Sequence, residues 1–112
     1  MKHYYWEKEI DATLIVSDEN GIVIEMNDKS SRVFENGTDK LIGTKVLDCH
    51  PEWAKPKVQE LMTEKTPSCY TTERKGKKHF VYHTPWYENG RYKGLVEMVI
   101  PIPFDMPHYV RD

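Results

Sequence analysis

Nothing in this 112-residue sequence is long and apolar enough to enter a membrane as a helix; no run approaches the ~20 apolar residues a spanning helix needs. The opening Met1-Lys2-His3-Tyr4-Tyr5-Trp6-Glu7 has no apolar stretch of the kind that directs secretion. Cysteine is scarce, and the two present, Cys49 and Cys69, stand too far apart for a zinc knuckle or a redox pair. Both absences point to a cytoplasmic protein with reduced thiols. An excess of one charge is missing too. The 16 basic and 18 acidic residues leave a net charge of −2, so no basic field draws the chain to nucleic acid or an anionic membrane. Catalytic signatures are absent as well. There is no Gly-rich phosphate loop, no Gly-x-Ser-x-Gly elbow and no His-Glu-x-x-His pair. Kinase, helix-turn-helix and cyclase segments are likewise missing, so any output is non-covalent. The expectation is a binding module and not an enzyme.

What is present is a regular succession of β and helical patterns, with room for one domain. Residues 12–17 and 22–26 are β-rich runs separated by Asp18-Glu19-Asn20-Gly21, a hairpin signal. Asn27 or Asp28 then caps a short helix whose inward contacts are Val33 and Phe34. Thr38–Gly43 reads as a further helical turn. Pro51 and Pro56 suit first-turn positions, and Val58, Leu61 and Met62 form one apolar stripe on a helix over 56–65. Residues 68–74, 78–87 and 91–102 are aromatic and β-branched strands. Gly76 separates the first two and Asn89-Gly90 turns the last two. Pro85 requires a bulge or an unpaired backbone position. Residues 1–9 form an arm and 103–112 an extended tail around a core of about 10–102.

Two strands, short helices, then three strands predict an α+β fold, a five-stranded antiparallel sheet with short helices on one face. In the last strand Val96, Met98 and Ile100 share one side, and Leu95, Glu97 and Val99 the other. The first set is uniformly apolar and is assigned to the helices. The second is assigned to the sheet's back, together with Val81 and His83, as a partner-binding or dimer face. His79 and His83 are read as exposed polar positions on that back, without a third ligand for a metal. Glu97 is read as a solvated charge on an exposed face or, beneath a partner, as one that seeks Arg91, Lys93 or another subunit.

The order of elements resembles the PAS family of sensory domains, as do particular residues. Asn20-Gly21-Ile22-Val23-Ile24-Glu25-Met26-Asn27 is similar to the PAS second strand, Leu41-Ile42-Gly43 to its short-helix turn, and Gly90-Arg91-Tyr92-Lys93-Gly94-Leu95-Val96-Glu97-Met98 to its last strand. Asp48-Cys49-His50-Pro51, Pro85-Trp86-Tyr87 and Pro107-His108-Tyr109 resemble small stand-alone bacterial PAS proteins and PAS modules found with hemerythrin-like domains. The resemblance implies the PAS fold and a role in signal transduction or transcription regulation, through a small ligand, a homodimer or a partner signalling protein. A ligand between sheet and helices would meet Asn27, Phe34, Cys49, His50, Trp53, Val58, Met62, Tyr70, Tyr82, Trp86 and Met98.

Cys49-His50-Pro51 has two readings. A thiolate and an imidazole at the mouth of the helical region are both recognised axial ligands of haem. Equally, Pro51 starts a helix and His50 makes a local hydrogen bond. Cys49 is either an inert thiol or one activated for redox sensing by a helix N-terminus. Flavin photochemistry is disfavoured, because no Asn-Cys-Arg-Phe-type motif occurs. A ligand-free dimerisation or docking domain is the standing alternative.

Overall fold

The computed structural model describes residues 9–27 and 42–112. The N-terminal arm, the helix with Val33 and Phe34, and most of the Thr38–Gly43 turn lie outside the described residues. Strands β1 (Thr13–Ser17), β2 (Val23–Met26), β3 (Ser68–Arg74), β4 (Lys77–Glu88) and β5 (Arg91–Ile102) form one antiparallel sheet in the order β2-β1-β5-β4-β3. A 3-10 turn, Val46–Cys49, and helix α1, Lys55–Glu64, cross one face. The α+β expectation holds, with strand limits within two residues of those expected.

Local chemistry explains the connections. The Asp18 carboxylate accepts from the backbone N–H groups of Asn20 and Ile22, at 2.9 Å each, and so braces the β1–β2 turn. Asn89 and Gly90 both have positive φ, 53° and 76°, as the two-residue turn between β4 and β5 requires. Pro85 lies beyond the end of β3, whose last pairing is Ser68 with His83, so no ladder bond to β3 is lost there. Pro56 occupies the first turn of α1, and Lys65 closes the helix in a left-handed conformation, its N–H bonded to the Leu61 carbonyl.

The core forms where α1 and the 3-10 turn meet the sheet. Ile15, Val23, Val46, Val58 and Leu95 are fully buried there, with Met26, Leu47 and Met62 packed around them. Burying each of the five is worth about 1.5–3 kcal/mol. Asn27 closes the end of β1: its side-chain oxygen accepts from Leu14 N–H at 3.0 Å and its amide donates to the Ala12 carbonyl at 2.7 Å.

The grouping of β5 side chains into two faces is as expected, but their assignment to core and surface is reversed. Leu95 and Glu97 are buried beneath the helical layer with Val81 and His83, while Val96, Met98 and Ile100 are half-exposed on the far face. Val81, His83, Leu95, Glu97 and Val99 are therefore not the partner face. Apolarity alone suggested the opposite side, because Glu97 looked too costly to bury. Two imidazoles meet that cost.

Candidate functional site

The site begins with strand register. His83 on β4 and Glu97 on β5 are direct cross-strand partners on the inward face. Below Gly43 the chain runs along β2, with Val46 N–H donating to the Gly21 carbonyl at 2.7 Å, which sets Val46 into the core and starts the 3-10 turn. That turn delivers His50 over the sheet. Its Nδ1–H donates to the Val46 carbonyl at 2.9 Å, fixing the ring so that Nε2 points down at Glu97.

One carboxylate oxygen of Glu97 receives both imidazoles. Oε2 lies 2.5 Å from His50 Nε2 and 3.0 Å from His83 Nε2. A carbonyl and a carboxylate are acceptors only, so His50 bonds both by carrying a proton on each nitrogen, as an imidazolium. His83 donates through Nε2, and its buried Nδ1 has no hydrogen-bond partner among the described residues. The His83 side chain is wholly buried, and those of Glu97 and His50 are 7% and 9% exposed. Tyr70 on β3 stacks on His83 with ring centroids 6.0 Å apart.

Above this trio opens a cleft of about 180 Å³, lined by His50, Pro51, Trp53, Ala54, Tyr70, Thr72, Val81, Glu97 and Val99. It continues into a hollow along Trp53, Thr72, Glu73 and Arg74.

Burial alone would push Glu97 up, yet the hydrogen bonds and charge of His50 and His83 override it and hold its carboxyl down at about 2. Burial opposes the charge on His50, but the Glu97 bond and charge, with the Val46 carbonyl, raise it above the ordinary 6.5. Burial, then Glu97, raises the Tyr70 hydroxyl as well.

These directions set the pH response. The Glu97 contribution is complete above its ordinary 4.5 and is lost as pH falls toward about 2. The His50 contribution is complete below 6.5 and is lost as pH rises through its higher folded value. One ion pair carries both, so stability has a plateau between about 4.5 and 6.5. Urea midpoints measured against pH, with a chelator present, should fall on both sides in the wild type and flatten in Glu97→Gln. A parallel wild-type and variant profile would contradict the buried pair.

Solved structures share this arrangement of strands and helices. The PAS domain of BvgS from Bordetella pertussis is 19% identical, covering 90% of this chain and 86% of that one at a TM-score of 0.66. A sensory box sensor histidine kinase from Vibrio cholerae is 11% identical, covering 89% and 88% at 0.70. The PAS domain of the histidine kinase ThkA is 15% identical, covering 80% and 98% at 0.66. The chain has the PAS fold. No family model and no curated protein matches its sequence.

Within this PAS fold the expected pocket residues divide. His50, Trp53 and Tyr70 line the cleft, with Trp53 69% exposed at its rim. Val58 and Met62 belong to the core instead. Asn27, Tyr82, Trp86 and Met98 do not line the cleft, because their strand parity or position sends them to the other side of the sheet. Asn27 borders a hollow with Leu14, Val16 and Val96. Trp86 borders another, and its indole N–H donates to the Ser17 carbonyl at 2.9 Å. Phe34 and the Cys49 side chain lie outside the described residues.

The sequence reading missed His83 and Glu97 as members of the site, having placed both on the surface. His50 Nδ1 is engaged by the Val46 carbonyl and Nε2 by Glu97, and the side chain of Cys49, the other haem-ligand candidate, lies outside the described residues. No helix of the described residues is long and apolar enough to cross a membrane.

Proposed function

We propose that this chain is a sensory module of signal transduction, a cytoplasmic binding domain and not an enzyme, that detects a small ligand in the cleft above Glu97. The observation that carries this reading is a buried carboxylate shared by two imidazoles at the floor of that cleft. A buried group perturbed by burial and a specific charge partner beside a cavity is the pattern of a functional-site candidate. Glu97 also sits on β5, the strand that pairs with both β1 and β4. A ligand that shifts Glu97 therefore strains both halves of the sheet. The strain would be read on the far face, where Leu14, Val16, Trp86, Val96 and Met98 are half-exposed, by a second copy or a partner protein.

Native mass spectrometry of protein purified without additions, followed by a thermal-shift panel of small ions, diatomic gases and carboxylates, tests the reading. Binding that disappears in the cleft-filling Thr72→Trp supports it. A wild type that carries nothing and responds to no member of the panel would favour a ligand-free dimerisation or docking domain. The half-exposed apolar far face suits that second reading.

A further inference from the structure

We propose that His50, His83 and Glu97 form a binding site for a divalent first-row transition-metal ion, of the zinc(II) or iron(II) class. The proposal deepens the sensory reading by naming the ligand class of the same cleft. Two imidazoles and a carboxylate are brought from three separate elements, and their donor atoms lie within 4.8 Å of one another. Donors held at ~2.1 Å from a common ion stand roughly 3 to 4 Å apart, so seating an ion requires the Glu97 oxygen to move outward from His50 and the more widely spaced donors to draw together.

The surroundings match what a metal-binding histidine needs. His50 already gives its other ring N–H to a backbone carbonyl, the second hydrogen bond that fixes the tautomer and aims Nε2 at an ion. His83 is 0% exposed and aims Nε2 at the same carboxylate oxygen, and its Nδ1 has no hydrogen-bond partner among the described residues.

An ion takes the place of the His50 Nε2–H between that imidazole and Glu97. Two nitrogens and one oxygen suit zinc or iron(II) better than calcium or magnesium, which prefer oxygen donors alone. Three protein donors leave coordination positions for water or a small exogenous ligand, and the cleft with Tyr70 and Thr72 on its wall lies beside them.

The test uses chelator-stripped protein titrated with zinc(II) and, as a spectroscopic probe, cobalt(II). The expected result is one ion per chain, a raised melting temperature, and cobalt d–d absorption. His83→Ala and Glu97→Gln should each weaken zinc binding by more than about 100-fold, beyond the ~10–100-fold typical of losing an outer partner. His108→Ala, in the exposed tail, should bind as the wild type does. Should either site variant fail to fold, ring-nitrogen NMR of the wild type decides instead: stoichiometric zinc should shift the His50 and His83 resonances and leave His79 and His108 in place.

Absence of binding, or binding that survives in His83→Ala and Glu97→Gln, overturns the site. Zinc binding at the trio without altered hydrogen exchange in β4 and β5 leaves the site standing and removes the sensory reading. A small organic ligand that binds where zinc does not has the reverse meaning.

Discussion

Replacing Glu97 with alanine should cost about 3–5 kcal/mol of folding stability, among the largest losses any single substitution in this domain produces. The carboxylate is the shared acceptor for two imidazoles, one of them wholly buried. Its removal leaves His50 Nε2 and His83 Nε2 facing an apolar void with no acceptor. His50 can shed its proton, which places the expected loss toward the lower end. Glu97→Gln keeps the volume and an acceptor oxygen, so it should cost less and chiefly abolish the pH plateau. The double variant His50→Leu/Glu97→Leu should recover part of the loss, since a buried ion pair is often matched by apolar groups of similar size. Urea unfolding at pH 6 measures all three. A loss under about 1 kcal/mol for Glu97→Ala would mean that the pair behaves as an exposed one.

Gly94→Ala should destabilise the fold by about 3 kcal/mol or more, lowering the melting temperature by roughly 10–20 °C. Gly94 has φ +147°, and a Cβ there would stand 2.0 Å from the Ser17 carbonyl oxygen and 2.7 Å from its carbon. Neither contact can be relieved by rotating a side chain, because both are with backbone. Ser17 is itself pinned: its Oγ accepts from Leu95 N–H at 3.1 Å, and its carbonyl accepts the Trp86 indole N–H. To admit one methyl, β1 must move away from β5 at the edge of the core. Circular dichroism melts give the answer directly. An alanine variant that melts within a few degrees of the wild type would show that β1 yields without cost.

The same two residues show how far the sequence could be read. Strand limits, the Asn89-Gly90 turn and the α1 stripe follow from short-range chemistry, and all appear where expected. The face parity of Leu95, Glu97 and Val99 was also correct, because alternation is a property of any strand. Choosing which face is inward was another matter. Apolarity argued against burying Glu97, and nothing local reveals that His50, 47 residues away, supplies its countercharge.

Register hid the other partner. A two-residue turn at Asn89-Gly90 by itself pairs His83 with Val96. The irregularity between Trp86 and Tyr87 slips β4 by one residue and sets His83 opposite Glu97 instead. The extra residue is Lys93 of β5, between Tyr92 and Gly94, and that glycine is the local sign of the bulge. The slip also brings Gly94 opposite Trp86, so one local irregularity builds both the candidate site and the tight passage between β1 and β5.

Trp86 and Trp53 also give the domain two optical reporters on opposite sides of a single sheet. Trp53 stands 69% exposed at the cleft rim, whereas Trp86 is half-buried, its indole bonded to Ser17 two strands away. A dissolved quencher therefore reaches the first before the second. In a Trp6→Phe background, emission from Trp53→Phe and Trp86→Phe proteins would separate an event at the cleft from its arrival on the far face, turning the passage of a signal through the sheet into a difference between two fluorescence traces.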